Sequence, residues 1–291
     1  MTVLITTFLF AALILLIGLA AVGLGAMLLA PRRVAALETP AGGAPATGAD
    51  RALVARGLLI GVLVACAVLS AAVLLRAVLV GHAPWSNLHE FSVAFAAALL
   101  AAYLLMARSQ PIAGLAPFAA MLAAGLVAFA IGLESRVDPL VPALQQPLLL
   151  TVHVGAAVIA YAVSGVAFIA AAAELGQRTS GDGIGLLPTA SVARRLSHRA
   201  VLIAFPILTV AIALGSVWAN LAWRSYWSND PKELAAAATW LVFGAYLHVA
   251  ARRDWWERLA PWLIVLGFAG VLFTYIGAGL FIVGEHSYGT P

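Results

Sequence analysis

Residues 148–173, LLLTVHVGAAVIAYAVSGVAFIAAAA, run for 26 positions with no charged side chain and one histidine, His153. Coiled as a helix, the run rises about 39 Å, enough to cross a hydrocarbon core of about 30 Å. Seven more apolar runs can be marked, at residues 3–30, 57–80, 90–107, 112–133, 200–219, 233–250 and 260–283. The composition agrees: 64% of the 291 residues are hydrophobic and only 10% are charged, where soluble domains carry about 25% charged residues. The mean hydropathy is +1.03. The expected fold is all-α, a polytopic membrane helix bundle of eight spans, with residues 1–291 as a single integral membrane domain.

Several classes fall away at once. A net charge of +4 is too small to mark a nucleic-acid-binding protein. The one cysteine, Cys66, excludes an internal disulfide, a CxxC redox motif and a cysteine-rich metal site. The run 3–30 lacks a basic n-region and exceeds the 7–15 apolar residues of a signal core, so it reads as a span. The four residues 108–111 between spans three and four make those two an antiparallel hairpin.

Loop charge sets the expected orientation. With the N-terminus outside, the inner loops hold Arg32, Arg33, Arg51, Arg56, Arg108, Arg178, Arg194, Arg195, Arg199, Arg252, Arg253 and Arg258. The outer side keeps Arg76, Arg136, Arg224 and Lys232. This three-to-one bias in strict alternation puts both termini outside the cytoplasm by the positive-inside rule. The Gly/Ala/Pro/Ser-rich inner loops 31–56 and 174–199 are expected to be flexible.

The outer segment 218–233 reads WANLAWRSYWSNDPKE, with Trp218, Trp223, Tyr226 and Trp227 close together. An interfacial aromatic belt would account for it, as would a platform for stacking a flat ring system. Its end, Asp230-Pro-Lys-Glu233, spells a capping box opening span seven, so Asp230 reads as a helix cap. Asn87-Leu-His-Glu90 opens span three in the same way. Of six histidines, His82, His89 and His198 read as solvated or interfacial. His153 and His286 come from different helices at similar outer depth, flanking the aromatic segment. His248 lies 15 residues beyond Glu233, about 22 Å deeper. Polar residues inside spans are costly and point to function. Two histidines plus an indole surface suit a metalloporphyrin, which needs only two axial ligands. Zinc would need a third and fourth ligand at the same depth, and none is in view.

These residues resemble a known family. WANLAWRSYWSNDPKE followed by TWLVFGAYLH is similar to the tryptophan-rich WWD signature of the CcsA/ResC haem-handling proteins of System II cytochrome c maturation, whose actinobacterial members are often called CcsB. PWSNLHEFS resembles that family's PWGNMYEF segment, LLLTVHVGAAVIAYAVSG its first outer-histidine helix, and EHSYG its second outer histidine. The resemblance runs from Pro84 to Tyr288. It implies that His153 and His286 ligate haem b, held non-covalently in transit, beside Trp218, Trp223, Tyr226, Trp227 and Asp230. It also implies that His248 is an intramembrane ligand, paired with a histidine from a CcsB/ResB-type membrane subunit. The implied role is the haem-handling part of a cytochrome c synthase, attaching haem vinyls to the CxxCH thiols of apocytochrome c outside the plasma membrane.

The chain departs from the pattern at Arg224, where glycine is usual, at Asn229, where the last tryptophan is usual, and at 234–237, which replace a Trp-containing stretch. A guanidinium at Arg224 is expected to suit a haem propionate. Rival expectations are a CcmC/CcmF-type haem delivery protein, a non-haem membrane transporter and a purely structural subunit. The near absence of acidic residues within the spans, and of paired broken helices, counts against an ion-coupled carrier.

Overall fold

The computed structural model describes residues 1–29, 48–137, 147–278, 282 and 284. Among them are eight helices long and apolar enough to cross a membrane and no strands. They are α1 Thr2–Leu29, α2 Gly48–Val80, α3 Leu88–Ala107, α4 Ala116–Ile131, α5 Pro147–Ser180, α6 Ala190–Trp223, α7 Pro231–Ala250 and α8 Arg253–Leu272. A 3₁₀ turn, Ala113–Leu115, leads into α4, and a π turn, Phe273–Gly277, continues α8. An apolar solvent offers the backbone no partners, so unbroken runs of Ala, Leu, Val and Ile close their hydrogen bonds within the helix.

The helices alternate in direction. One end of the bundle collects Trp85, Trp218 and the start of α7, and the other collects Arg178, Arg194 and the end of α7. In the first half of the chain, α1 packs on α2 and α4, and α3 packs on both α2 and α4. In the second half, α5 lies along α6 and α8, and α7 lies chiefly against α8. The contact of α3 with α5 joins the halves. Phe91, Phe95 and Phe129 surround Tyr275 at this junction, with Phe91 and Tyr275 stacked at 5.0 Å.

All eight expected spans are present, and several helices run further than their apolar stretch. At 34 residues each, α5 and α6 are about 51 Å long, well beyond the hydrocarbon core. The reason is visible at the arginine end. Glu174 is buried and pairs with Arg178, one turn on, and with Arg194 of α6 at 2.9 Å. Gln177, fully buried, donates to the carbonyls of Ile184 and Pro188 and accepts from the Ile184 N–H. The expected flexible segment 174–199 is thus helical over most of its length, and its central turn is tied to one glutamine. In the other such segment, 48–56 already belongs to α2, and 31–47 lies outside the described residues.

Two caps fix the tryptophan end. The expected capping box at α7 is present: Asp230 accepts from the Lys232 N–H at 2.9 Å, and Glu233 reaches back to the Asp230 N–H. At α3, Asn87 accepts from the Glu90 N–H as expected. The Glu90 side chain, however, reaches past the cap residue to Ser86 and pairs with Arg76, both partners buried. Arg76 also donates to the Ser135 and Arg136 carbonyls. One ion pair therefore holds together the end of α2, the start of α3 and the chain leaving α4.

Candidate functional site

At the tryptophan end, α3, α5, α6, α7, the π turn after α8 and the connections 81–87 and 224–230 enclose a cavity of about 220 Å³. For scale, a cavity of about 150 Å³ admits a benzene ring. His153 stands in its wall on the second turn of α5. The His153 Nδ1 lies 2.8 Å from the Ala211 carbonyl of α6. A carbonyl only accepts, so Nδ1 is the donor of this bond. That arrangement fixes the tautomer of a metal-ligating imidazole.

The ring packs against α6. Trp218, 1% exposed, lies nearly parallel to it with centroids 6.2 Å apart. Gly215 gives it room: a Cβ there would stand 2.6 Å from His153 Cε1 and 3.1 Å from Nδ1. Trp223 meets Trp218 edge-on at 4.8 Å and backs it from behind without reaching the cavity wall. Tyr226 and Trp227 line the cavity and are largely exposed, so it opens to the surface along their edge. The Trp227 indole donates to Asn229 Oδ1 at 2.9 Å, and Ser216 ties the Tyr226 carbonyl back to α6.

Other expected residues have backbone roles or lie elsewhere. Asp230 is buried as the α7 cap. Arg224 ends α6 in the left-handed region, φ 62, is exposed, and does not line the cavity. This accounts for glycine being usual there, since a left-handed C-cap costs glycine no Cβ clash. The guanidinium expected beside a propionate is therefore at a turn outside the wall. Asn229, φ 61, takes the same conformation, which asparagine tolerates better than tryptophan.

The histidines separate into three groups. His286 lies outside the described residues; Gly284, two positions before it, packs on the α7 cap. A Cβ at Gly284 would overlap the Asp230 carboxylate and stand 2.7 Å from Pro231 Cδ. His248 is exposed near the far end of α7. Two residues earlier Tyr246 is buried and meets His198 Nδ1 at 3.0 Å. Two helical positions differ by about 200°, so His248 faces away from His198. His198 and His89, expected to be solvated or interfacial, are in helices and inward: His198 is half-buried, and His89 is buried with Nδ1 2.8 Å from the Ala130 carbonyl. Among the described residues no three His, Cys, Asp or Glu side chains converge as a metal site.

Reading the sequence alone missed part of the wall. Trp85, Lys232, Tyr161, Thr274 and Tyr275 all line the cavity. Trp85 stands in the PWSNLHEFS motif, and Lys232 directly follows the cap; both motifs were in view. The tyrosines sit inside apolar runs and carried no local signal.

The profile of the cytochrome c assembly protein family matches residues 85–286, and so spans the whole cavity wall. The chain belongs to the cytochrome c assembly protein family. Among members of that family, a protein of Parasynechococcus marenigrum named cytochrome c biogenesis protein CcsA is 35% identical over 240 residues, 72% of this chain and 78% of that one. A protein of the same name from Synechococcus elongatus is 33% identical over 260 residues, 72% of this chain and 80% of that one. Among solved structures, cytochrome c haem lyase CcmF shares the fold, with a TM-score of 0.63 at 20% identity over 93% of this chain. This cytochrome c assembly protein spans 46% of that longer chain.

Proposed function

We propose that this chain is the haem-handling subunit of a System II cytochrome c synthase in the cytoplasmic membrane, holding haem b non-covalently at the open mouth of the cavity at its tryptophan end. The observation that carries this reading is His153: an imidazole in the cavity wall, its Nδ1 proton directed at Ala211 and its ring set against Trp218 and Gly215 of α6. Family membership gives the reading its class of chemistry. When bound, haem supplies an iron for axial ligation and two vinyl groups to which the CxxCH thiols of apocytochrome c add.

The residues of the chain bind, orient and shield. His153 and His286 would hold the iron through their imidazoles, and Gly284 packs on the α7 cap beside the cavity's Lys232 and Glu233. Trp218, Trp227 and Tyr226, which line the cavity, would give the ring aromatic surface to lie against. His248 faces outward from the isolated chain, which suits a ligand shared with a CcsB/ResB-type membrane subunit. The arginine bias supports a tryptophan end outside the cytoplasm and His248 near the inner leaflet.

The test is cytochrome c maturation with and without added imidazole in a strain carrying His153→Ala. Maturation should fall to background and recover in part with imidazole, which replaces the missing ligand. Full maturation by His153→Ala without imidazole would remove the residue from the mechanism.

A further inference from the structure

Lys232 and Glu233 are the two residues of the cavity wall bearing carboxylate or ammonium charge. Glu233 is engaged: its carboxylate accepts from the Ser228 and Asp230 N–H groups. The Lys232 ammonium is different. It is half-buried, and no hydrogen bond or ion pair joins it to a described residue. The Asp230 carboxylate acts on it through space while accepting from the Lys232 backbone N–H.

An ammonium that opens onto a mainly apolar cavity keeps its water only until a ligand displaces it, and then needs an accepting partner. A wall that is largely aromatic and apolar, with one ammonium that makes no hydrogen bond, fits a flat apolar ligand that carries an acid. An ammonium only donates, so the complementary group accepts: a carboxylate. Lys232 also sits in the first turn of α7, where the helix dipole favours negative charge. We infer that Lys232 binds a carboxylate of the ligand; on the haem reading above, on which this rests, that carboxylate is a propionate. Lys232 thus takes the role expected of Arg224. It would set the rotation of the ring in its plane, and so which vinyl edge faces the client.

The experiment compares haemin with haemin dimethyl ester, titrated into the detergent-purified full chain and followed by the Soret band. The ester keeps the iron and ring but removes both acids. A charge-assisted hydrogen bond predicts that the parent favours haemin by about ten- to a hundred-fold. Lys232→Met should bind the ester as the parent does and lose the preference for haemin, whereas Lys232→Arg should keep it. Binding of the ester by Lys232→Met also shows that the variant folds, and Lys232→Gln is the second neutral variant if Met does not express. A parent-like preference in Lys232→Met or Lys232→Gln would overturn the assignment and leave the haem reading standing. A parent that binds neither compound would overturn both.

Discussion

His153 shows how one residue type can be read from sequence while its surroundings cannot. A histidine on the second turn of an apolar run already pointed to function. Its partner Ala211 and its clearance at Gly215 lie about sixty residues away and are visible only once α5 and α6 pack. The clearance leads to a paired prediction. Gly215→Ala puts a methyl 2.6 Å from the ring and should displace His153, lowering haem occupancy without unfolding the bundle. Gly155→Ala, whose Cβ meets Trp85 at an ordinary 3.9 Å, should leave occupancy unchanged. The Soret absorbance per protein, with circular dichroism as the fold control, decides both. Arg224 was legible as a departure from pattern but not as a backbone matter, because a left-handed φ leaves no local mark when the residue is not glycine. Arg224→Gly should therefore raise stability by about 1 kcal/mol and leave haem retention unchanged, measured as the unfolding midpoint in detergent. Loss of bound haem in that variant would return Arg224 to the site.

At the scale of elements, the caps and the buried ion pair carry the tryptophan end. Arg76 and Glu90 are 4% and 3% exposed, and together they fix the connection that carries Trp85 and Ser86. Breaking a buried pair by removing one partner costs about 3–5 kcal/mol. Arg76→Ala should accordingly lower the unfolding midpoint far more than Arg136→Ala, whose pair with Glu134 is exposed. Equal midpoints for the two variants would show that Arg76 holds nothing. The capping boxes were legible because a cap is local: Asp230 and Glu233 are three residues apart and solve a problem the backbone always has. The lengths of α5 and α6 were not, because an apolar window stops at the first charge. Glu174 and Gln177 look like loop residues in sequence, and they become helical only through partners on α6 and in the 181–189 turn.

For the whole molecule, eight spans and their alternation followed from hydropathy alone, since lipid admits few alternatives to a closed helix. The cavity did not, since five helical elements far apart in sequence and two connections contribute to it. The opposite end carries the second consequence. His248 faces away from the pair formed by His198 and Tyr246, so its haem partner should come from another chain. Co-purification with a CcsB/ResB-type subunit should add a second haem population, and His248→Ala should deplete that population alone. Unchanged haem content in His248→Ala complex would end the shared-site proposal. The cavity itself is tested most directly by the absorption spectrum of the full chain, purified with its haem, in parent and His153→Ala forms. A six-coordinate low-spin spectrum in the parent, lost or turned high-spin in His153→Ala and restored by imidazole, is the predicted result. The same low-spin spectrum and the same haem content in both would contradict it.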